Sequence, residues 1–183
     1  MVPASTVDEL LARLAACAGV FDSLGPDGDP VDILDHGLQC AHELARVAPD
    51  DEELQVAGLV HDLGHAIEGW HAVDHGEVGG AYVEALLGAR VARTVALHVP
   101  AKRYLVATDA AYELSDGSVR SLELQGGAMS AAEVARFEQD PNAADAATLR
   151  RADEAAKVIG RLVPGLDHWH PVVARVAGVH AAR

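Results

Sequence analysis

The chain has 183 residues, half of them apolar but only 4% aromatic, a balance dominated by Ala, Val and Leu that suits close-packed helices rather than a β-sandwich. Its formal charge of −14 argues against nucleic acid and an anionic membrane surface as partners. An anionic small substrate stays open only if a positive site is built locally against that field.

The apolar pattern is helical nearly throughout. Leu10, Leu11, Leu14, Ala18 and Phe21 recur at spacings of three and four, which predicts a first helix over 8–24. SLGPDGDP, 23–30, breaks it with two Gly and two Pro. A second helix is expected over 31–47. A third starts at Asp50, an N-cap with Glu53 in the capping-box position, and ends near Gly69. Helices over 74–87 and 89–99 are separated at Gly88, and Pro100 either stops the fifth or opens another. The periodicity of 108–127 is mixed. Ser130 with Glu133 forms a second capping box before a helix over 131–138. A long helix over 144–159 follows, and the tail adds one short helix. The expected architecture is one all-α bundle spanning 1–183. Cys17 and Cys40 fall in helical patterns and read as small core residues, not a disulfide. No stretch approaches the roughly 18 apolar residues of a membrane helix. The N-terminus lacks the basic-then-apolar order of a signal peptide, so a cytoplasmic protein is expected.

Ten histidines are unusual, and five of them fall between His61 and His98. DHGLQCAHEL carries His36 and His42, LVHDLGHAIEG carries His61 and His65, VDHGEVGG carries His75 and ALHVPAKRY carries His98. LRRADEAAK adds Asp153 late in the chain. On a continuous helix His61 and His65 share one face, with Asp62 about 100° round from His61. Asp62 follows the apolar run LQVAGLV, where an unpaired carboxylate is costly. It needs a positive partner, and a metal supplies one. Imidazoles with carboxylates suit iron, manganese, zinc or nickel, and without clustered cysteines a structural zinc site is disfavoured. Ligands spread over several helices match the way di-metal sites are built in bundles. His42, His71, His168, His170 and His180 read as ordinary core or surface residues, with DHWH on an exposed loop.

A His, a later His-Asp doublet and a distal Asp resemble the pattern of HD-domain proteins, mostly metal-dependent phosphohydrolases. The phrases HGLQCA, HDLGH, HGEVGGAYV, HVPAKRYLV, LSDGS, LELQGGAM and RRAD resemble more narrowly the PhnZ-type mixed-valence diiron oxygenases of that superfamily. They run in unbroken order from His36 to Lys157, about two thirds of the chain.

The resemblance implies a compact HD-domain helical bundle and an O2-dependent dioxygenase of phosphonate catabolism. Such an enzyme cleaves the carbon–phosphorus bond of a 1-hydroxyalkylphosphonate, 2-amino-1-hydroxyethylphosphonate or a close relative, and releases phosphate. By matching motif, His36, His61, Asp62 and Asp153 hold one iron, and Asp62 bridges to a second bound by His75 and His98, as an Fe(II)/Fe(III) pair. Asp62 and His65 are the catalytic positions, and His65, Lys102, Ser118, Gln125 and Arg150 contact substrate. A phosphonate dianion suits the compact cation of Lys102 and the planar fork of Arg150. Without the resemblance, Lys102–Arg103 reads as a solvated basic pair and Ser118 and Gln125 as turn polarity. The implied partner is a small organophosphonate, and a homodimer is compatible with the sequence.

One departure matters. The family carries a Tyr and a Glu shortly before the first His ligand, and the segment 22–35 has neither. Asp27, Asp29 or Asp32 is expected to stand in, on a reshaped loop that also admits another 1-hydroxyphosphonate. Two rivals stay open: a hydrolytic HD phosphatase acting on a phosphomonoester or nucleotide, and a metal-bound HD module that regulates a partner without turnover.

Overall fold

The structure, a computed structural model, describes residues 3–22, 30–67 and 74–181. Asp27, Asp29, His71 and the expected helix end at Gly69 lie outside the described residues. All regular structure among the described residues is helical: α1 (Val7–Ala15), α2 (Ile33–Val47), α3 (Glu52–Val60), a 3-10 turn (Leu63–Ala66), α4 (His75–Leu87), α5 (Ala89–Thr108), α6 (Asp116–Leu124), α7 (Ala131–Phe137), α8 (Ala143–Ala155) and α9 (Leu166–Ala181). The all-α bundle expected from the sequence is the observed architecture.

Side-chain caps start several helices. Thr6 with Glu9 and Ser130 with Glu133 form complete capping boxes, the second as expected. Asp32 accepts the Asp35 N–H at the start of α2, and Asp51, not Asp50, accepts the Leu54 N–H at 3.1 Å. Each such cap contributes about 1 kcal/mol.

Five boundaries differ from expectation. α1 stops at Ala15, because a tight turn follows and Gly19 takes φ 75°. α3 stops at Val60 instead of running on to Gly69, and the chain tightens into the 3-10 turn. α5 passes through Pro100. The missing N–H would have bonded Ala96, whose carbonyl instead faces Gly76, where a Cβ would lie only 3.2 Å away. α8 ends at Ala155. α9 is long, and it carries DHWH on a helix instead of a loop. Its stripe Trp169, Val172, Val173 and Val176 recurs at three and four and is buried, and that packing overrides Pro171.

The main pairings are α4 with α5, α2 with α3, α5 with α8, and α2 with α8, and α9 packs on α1, α3 and α4. Leu10, Leu14, Leu44, Val56, Leu59, Leu63, Leu87 and Trp169 fill the core, and Cys17 and Cys40 sit buried as free thiols. Burying a side chain of this size contributes roughly 1.5–3 kcal/mol. α2 crosses α3 at Gly37, where a Cβ would lie 2.5 Å from the Leu59 carbonyl oxygen, so only glycine fits. Among the described residues no helix is long and apolar enough to cross a membrane. This packing brings α2, the end of α3, the first turn of α4, the middle of α5 and the end of α8 to one point.

Candidate metal centre

At that point four imidazoles surround one carboxylate. The end of α3 at Val60 matters here, because adjacent side chains on a continuous helix point about 100° apart. With Asp62 in the bridge region at φ −96°, ψ 4°, its carboxylate turns back towards His61. Asp62 Oδ2 lies 3.3 Å from His61 Nε2 and 3.5 Å from His36 Nε2. Its other oxygen, Oδ1, lies 3.4 Å from His75 Nε2 and 3.5 Å from His98 Nε2, and those two nitrogens are 2.9 Å apart. Asp153 closes the first group, with Oδ1 3.1 Å from His36 Nε2 and Oδ2 3.8 Å from His61 Nε2. His36, His61 and Asp62 form one cluster able to hold a metal, and Asp62, His75 and His98 form a second.

The outer nitrogens fix the ring orientations. His36 Nδ1 lies 3.0 Å from the Ala156 carbonyl oxygen, His61 Nδ1 2.8 Å from that of Gly58, and His98 Nδ1 2.6 Å from that of Val95. As each Nδ1–H donates outward, each Nε2 lone pair faces the cluster. His61 Nε2 is buried and makes no hydrogen bond among the described residues. An orphaned acceptor of this kind is costly unless a cation meets it.

The charge states of Asp62, Asp153, His75 and His98 suit a metal, and that of His36 does not. Burial opposes the His36 charge, but the Asp153 and Asp62 carboxylates outweigh it and raise the imidazolium to about 9, a proton that a metal would have to displace. Burial raises the Asp62 carboxyl, but His61, His98 and His75 outweigh it and hold Asp62 well below the usual carboxylate range. Burial likewise opposes ionisation of Asp153, and the Arg150 and Lys157 charges overcome it. Burial, then the neighbouring rings of His65 and His98, drives His75 far below its ordinary value, and burial also lowers His98. Ionised carboxylates and neutral imidazoles are the forms that bind a metal ion.

A cavity opens above this cluster, lined by His65, Lys102, Ser118 and Arg150 together with Asp62, His75, His98 and Asp153. His65 is half-buried and stacks on His75 with ring centroids 4.0 Å apart. Lys102 donates to Ser121 Oγ at 2.6 Å, and Arg150 donates to Ser118 Oγ at 2.9 Å as well as to Asp153 and Glu154. The Lys102–Arg103 pair is therefore split: Lys102 is buried at the cavity, and Arg103 bonds Gly127 and Glu133 elsewhere.

Two expectations need correction. Gln125 does not line the cavity; it sits at the end of α6, its N–H bonded back to Ser121. Asp32 does not reach the cavity either, because its carboxylate is spent on the Gly19 and Asp35 N–H groups. Asp22, ten residues earlier, lines it instead. Ser121 and Lys157 also line it without having been singled out from the sequence, though Lys157 stands four residues after Asp153 on the same RRADEAAK motif. His42, His168, His170 and His180 stay outside the cluster, as expected.

No family model matches the chain. Individual proteins do. The chain is 38% identical over 177 residues to the [1-hydroxy-2-(trimethylamino)ethyl]phosphonate dioxygenase (glycine-betaine-forming) of Leisingera caerulea, covering 88% of this chain and 89% of that one. It is 43% identical over 156 residues to the hydroxymethylphosphonate dioxygenase of Gimesia maris, covering 79% and 77% respectively. An uncharacterised protein of Acanthamoeba polyphaga mimivirus is 25% identical over 180 residues. At this identity and coverage, the chain belongs to the phosphonate dioxygenase family and is an oxygenase.

Proposed function

We propose that this chain is an O2-dependent diiron oxygenase that cleaves the carbon–phosphorus bond of a 1-hydroxyalkylphosphonate. The observation that carries the reading is the Asp62 carboxylate, which gives one oxygen to each of two histidine groups. His36, His61, Asp62 and Asp153 would hold one iron, and Asp62, His75 and His98 the other. When bound, the irons supply redox chemistry towards O2 and Lewis-acid charge. Lys102 and Arg150 bind and orient the phosphonate, and Ser118 holds the Arg150 fork in place. His65 Nδ1 is buried without a hydrogen-bond partner among the described residues, which supports a role in bonding the substrate.

The reaction balances when one oxygen atom goes to carbon and one to phosphorus. R–CH(OH)–PO3 2− and O2 then give the carboxylic acid R–COOH and hydrogen phosphate. The names of the relatives support a small or a quaternary-ammonium substituent as R. Asp22 supplies one further negative group on the cavity wall for a cationic one. The test is aerobic purification with iron analysis and electron paramagnetic resonance. It continues with O2 uptake and phosphate release from hydroxymethylphosphonate, 2-amino-1-hydroxyethylphosphonate and its trimethylated relative. Two irons per chain, a mixed-valence signal and equal amounts of O2 consumed and phosphate released are expected. Phosphate release that continues without O2 on Mn(II) overturns the oxygenase reading in favour of hydrolysis.

A pH profile follows from Lys102. Burial pushes its ammonium down to about 7, aided by Arg150 and Lys157 and opposed by Asp153. Below that value the group is cationic and holds the head group; above it the charge is lost. kcat/KM should therefore fall as pH rises through about 7. Lys102→Arg, whose guanidinium does not titrate in this range, should flatten the falling limb in a kinetic profile taken from about pH 6 to about pH 9.

A further inference from the structure

Beyond the end of α8 the chain is tied to α2 from across the sequence. The Ala156 carbonyl oxygen lies 3.0 Å from His36 Nδ1. Val158 is held twice by the buried Gln39 side chain: its N–H donates to Oε1 at 3.2 Å and its carbonyl accepts from Nε2 at 2.9 Å. Lys157 stands between these two anchored residues, so its backbone position is set from both sides. Its ammonium reaches the cavity, 2.9 Å from Ser118 Oγ, 3.8 Å from Glu154 Oε2 and 3.9 Å from Asp153 Oδ1.

Ser118 is the hub of this wall. Its hydroxyl accepts from Arg150 and from Lys157, and donates to Glu154 Oε2 at 2.9 Å. A hydroxyl has one donor and two acceptor sites, so Ser118 is saturated. It joins the cations to one another and has no donor left for a ligand. Glu154 also accepts from Arg150 and from the Ser115 N–H, which makes it the shared counter-ion of the wall. Arg150 and Lys157 thus bring two cations into one cavity of a chain with net charge −14, and Lys102 adds a third where its ammonium is protonated. Glu154 and Asp153 offset part of that charge, and a doubly charged head group in the cavity would meet the remainder better than a singly charged one.

We propose that Lys157 is the third cation of the oxyanion subsite, positioned with Arg150 by Glu154, and that the set selects a doubly charged head group over a singly charged one of the same shape. This rests on the reading that the cavity takes a phosphonate. Lys157 would touch the substrate, and Glu154 would act through Arg150, Ser118 and Lys157 as a positioning residue.

The test uses two tetrahedral probes of one shape, methylphosphonate and methanesulfonate, titrated calorimetrically into the iron-loaded protein. The wild type should prefer methylphosphonate, and Lys157→Met should weaken methylphosphonate by about tenfold or more while leaving methanesulfonate much less affected. Lys157→Arg should restore most of the difference. Glu154→Gln should raise KM for a hydroxyphosphonate more than it lowers kcat, with iron content retained. Lys157→Gln carries the same comparison if Lys157→Met does not fold. A folded, iron-loaded Lys157 variant whose methylphosphonate Kd stays within about twofold of wild type overturns the proposal. So does a wild type that does not discriminate the two probes. A wild type that discriminates them but turns over no hydroxyphosphonate overturns the reaction proposed above, and the Kd values still decide Lys157.

Discussion

Replacing Asp62 with alanine is expected to abolish turnover and to leave the protein unable to hold two irons. Among the described residues Asp62 is the one side chain within reach of both histidine groups, at 3.3–3.5 Å from all four imidazoles. Without it the pair His75 and His98 has no carboxylate, and the trio His36, His61 and Asp153 loses half its negative charge. Outer-sphere partners of metal ligands cost about 10–100-fold in affinity or activity when removed, and a bridging ligand should cost more, at least ~10³-fold in kcat/KM. Asp62→Asn separates charge from packing. It keeps the shape, replaces one oxygen by an amide donor, and removes the negative charge that the two histidine groups share. If packing alone mattered, the asparagine variant would keep two irons per chain. We expect it to lose the second iron nearly as fully as the alanine variant, by metal analysis of protein purified in parallel. Two irons and near-normal O2 uptake in Asp62→Asn would contradict a bridging role.

The His61–Asp62 doublet was legible as a candidate cation site because its chemistry is local and conspicuous, and the other residues of the two clusters were expected from the family resemblance. Imidazoles and a carboxylate inside apolar helical runs, such as LQVAGLVHD, have few uses besides a cation. The helices were legible for the same reason: three-and-four spacing and the Ser130–Glu133 capping box are short-range signals. Boundaries failed where tertiary contact outweighed local preference. Pro100 reads as a stop or as the opening of another helix, yet α5 runs through it unbroken with α4 and α8 packed along it. Pro171 and the DHWH flanks read as a loop, yet Trp169 fixes a helix by burying itself in the core. The second half of the site was partly hidden for a related reason. Lys157 belongs to it only because Gln39, over a hundred residues earlier, pins Val158. Asp22 displaces the expected Asp32 because Asp32 is needed as a helix cap. Neither fact is visible in the spacing of either residue.

The largest stability effect is expected at a residue that touches no ligand. Gly64, in the 3-10 turn after Asp62, faces the first residue of α4: a Cβ there would lie 1.9 Å from the His75 carbonyl oxygen and 2.7 Å from its carbonyl carbon. No rotamer can relieve that overlap, because the obstacle is backbone. Gly64→Ala must therefore push α4 away from the turn, against the contacts of Gly79 with Gly64 and of α4 with α5. Overpacking of this kind typically costs about 1–3 kcal/mol and more when backbone must move, so a loss of about 3 kcal/mol is expected. The metal site should fail in the same step. His75 sits on the displaced segment, and its Nε2 would leave its position 2.9 Å from His98 Nε2 and 3.4 Å from Asp62. On the proposed diiron reading, the iron assigned to His75 and His98 should then be lost before the one assigned to His36, His61 and Asp153. Gly178→Ala is the matched control, since nothing lies within 4 Å of a Cβ there and the site is a helical turn of α9. Removing that glycine should stabilise the protein by about 0.5 kcal/mol through the unfolded chain. Thermal melts of the two variants should therefore move in opposite directions. Melts that move together would mean that the Gly64 approach is not what seats α4 against the metal ligands.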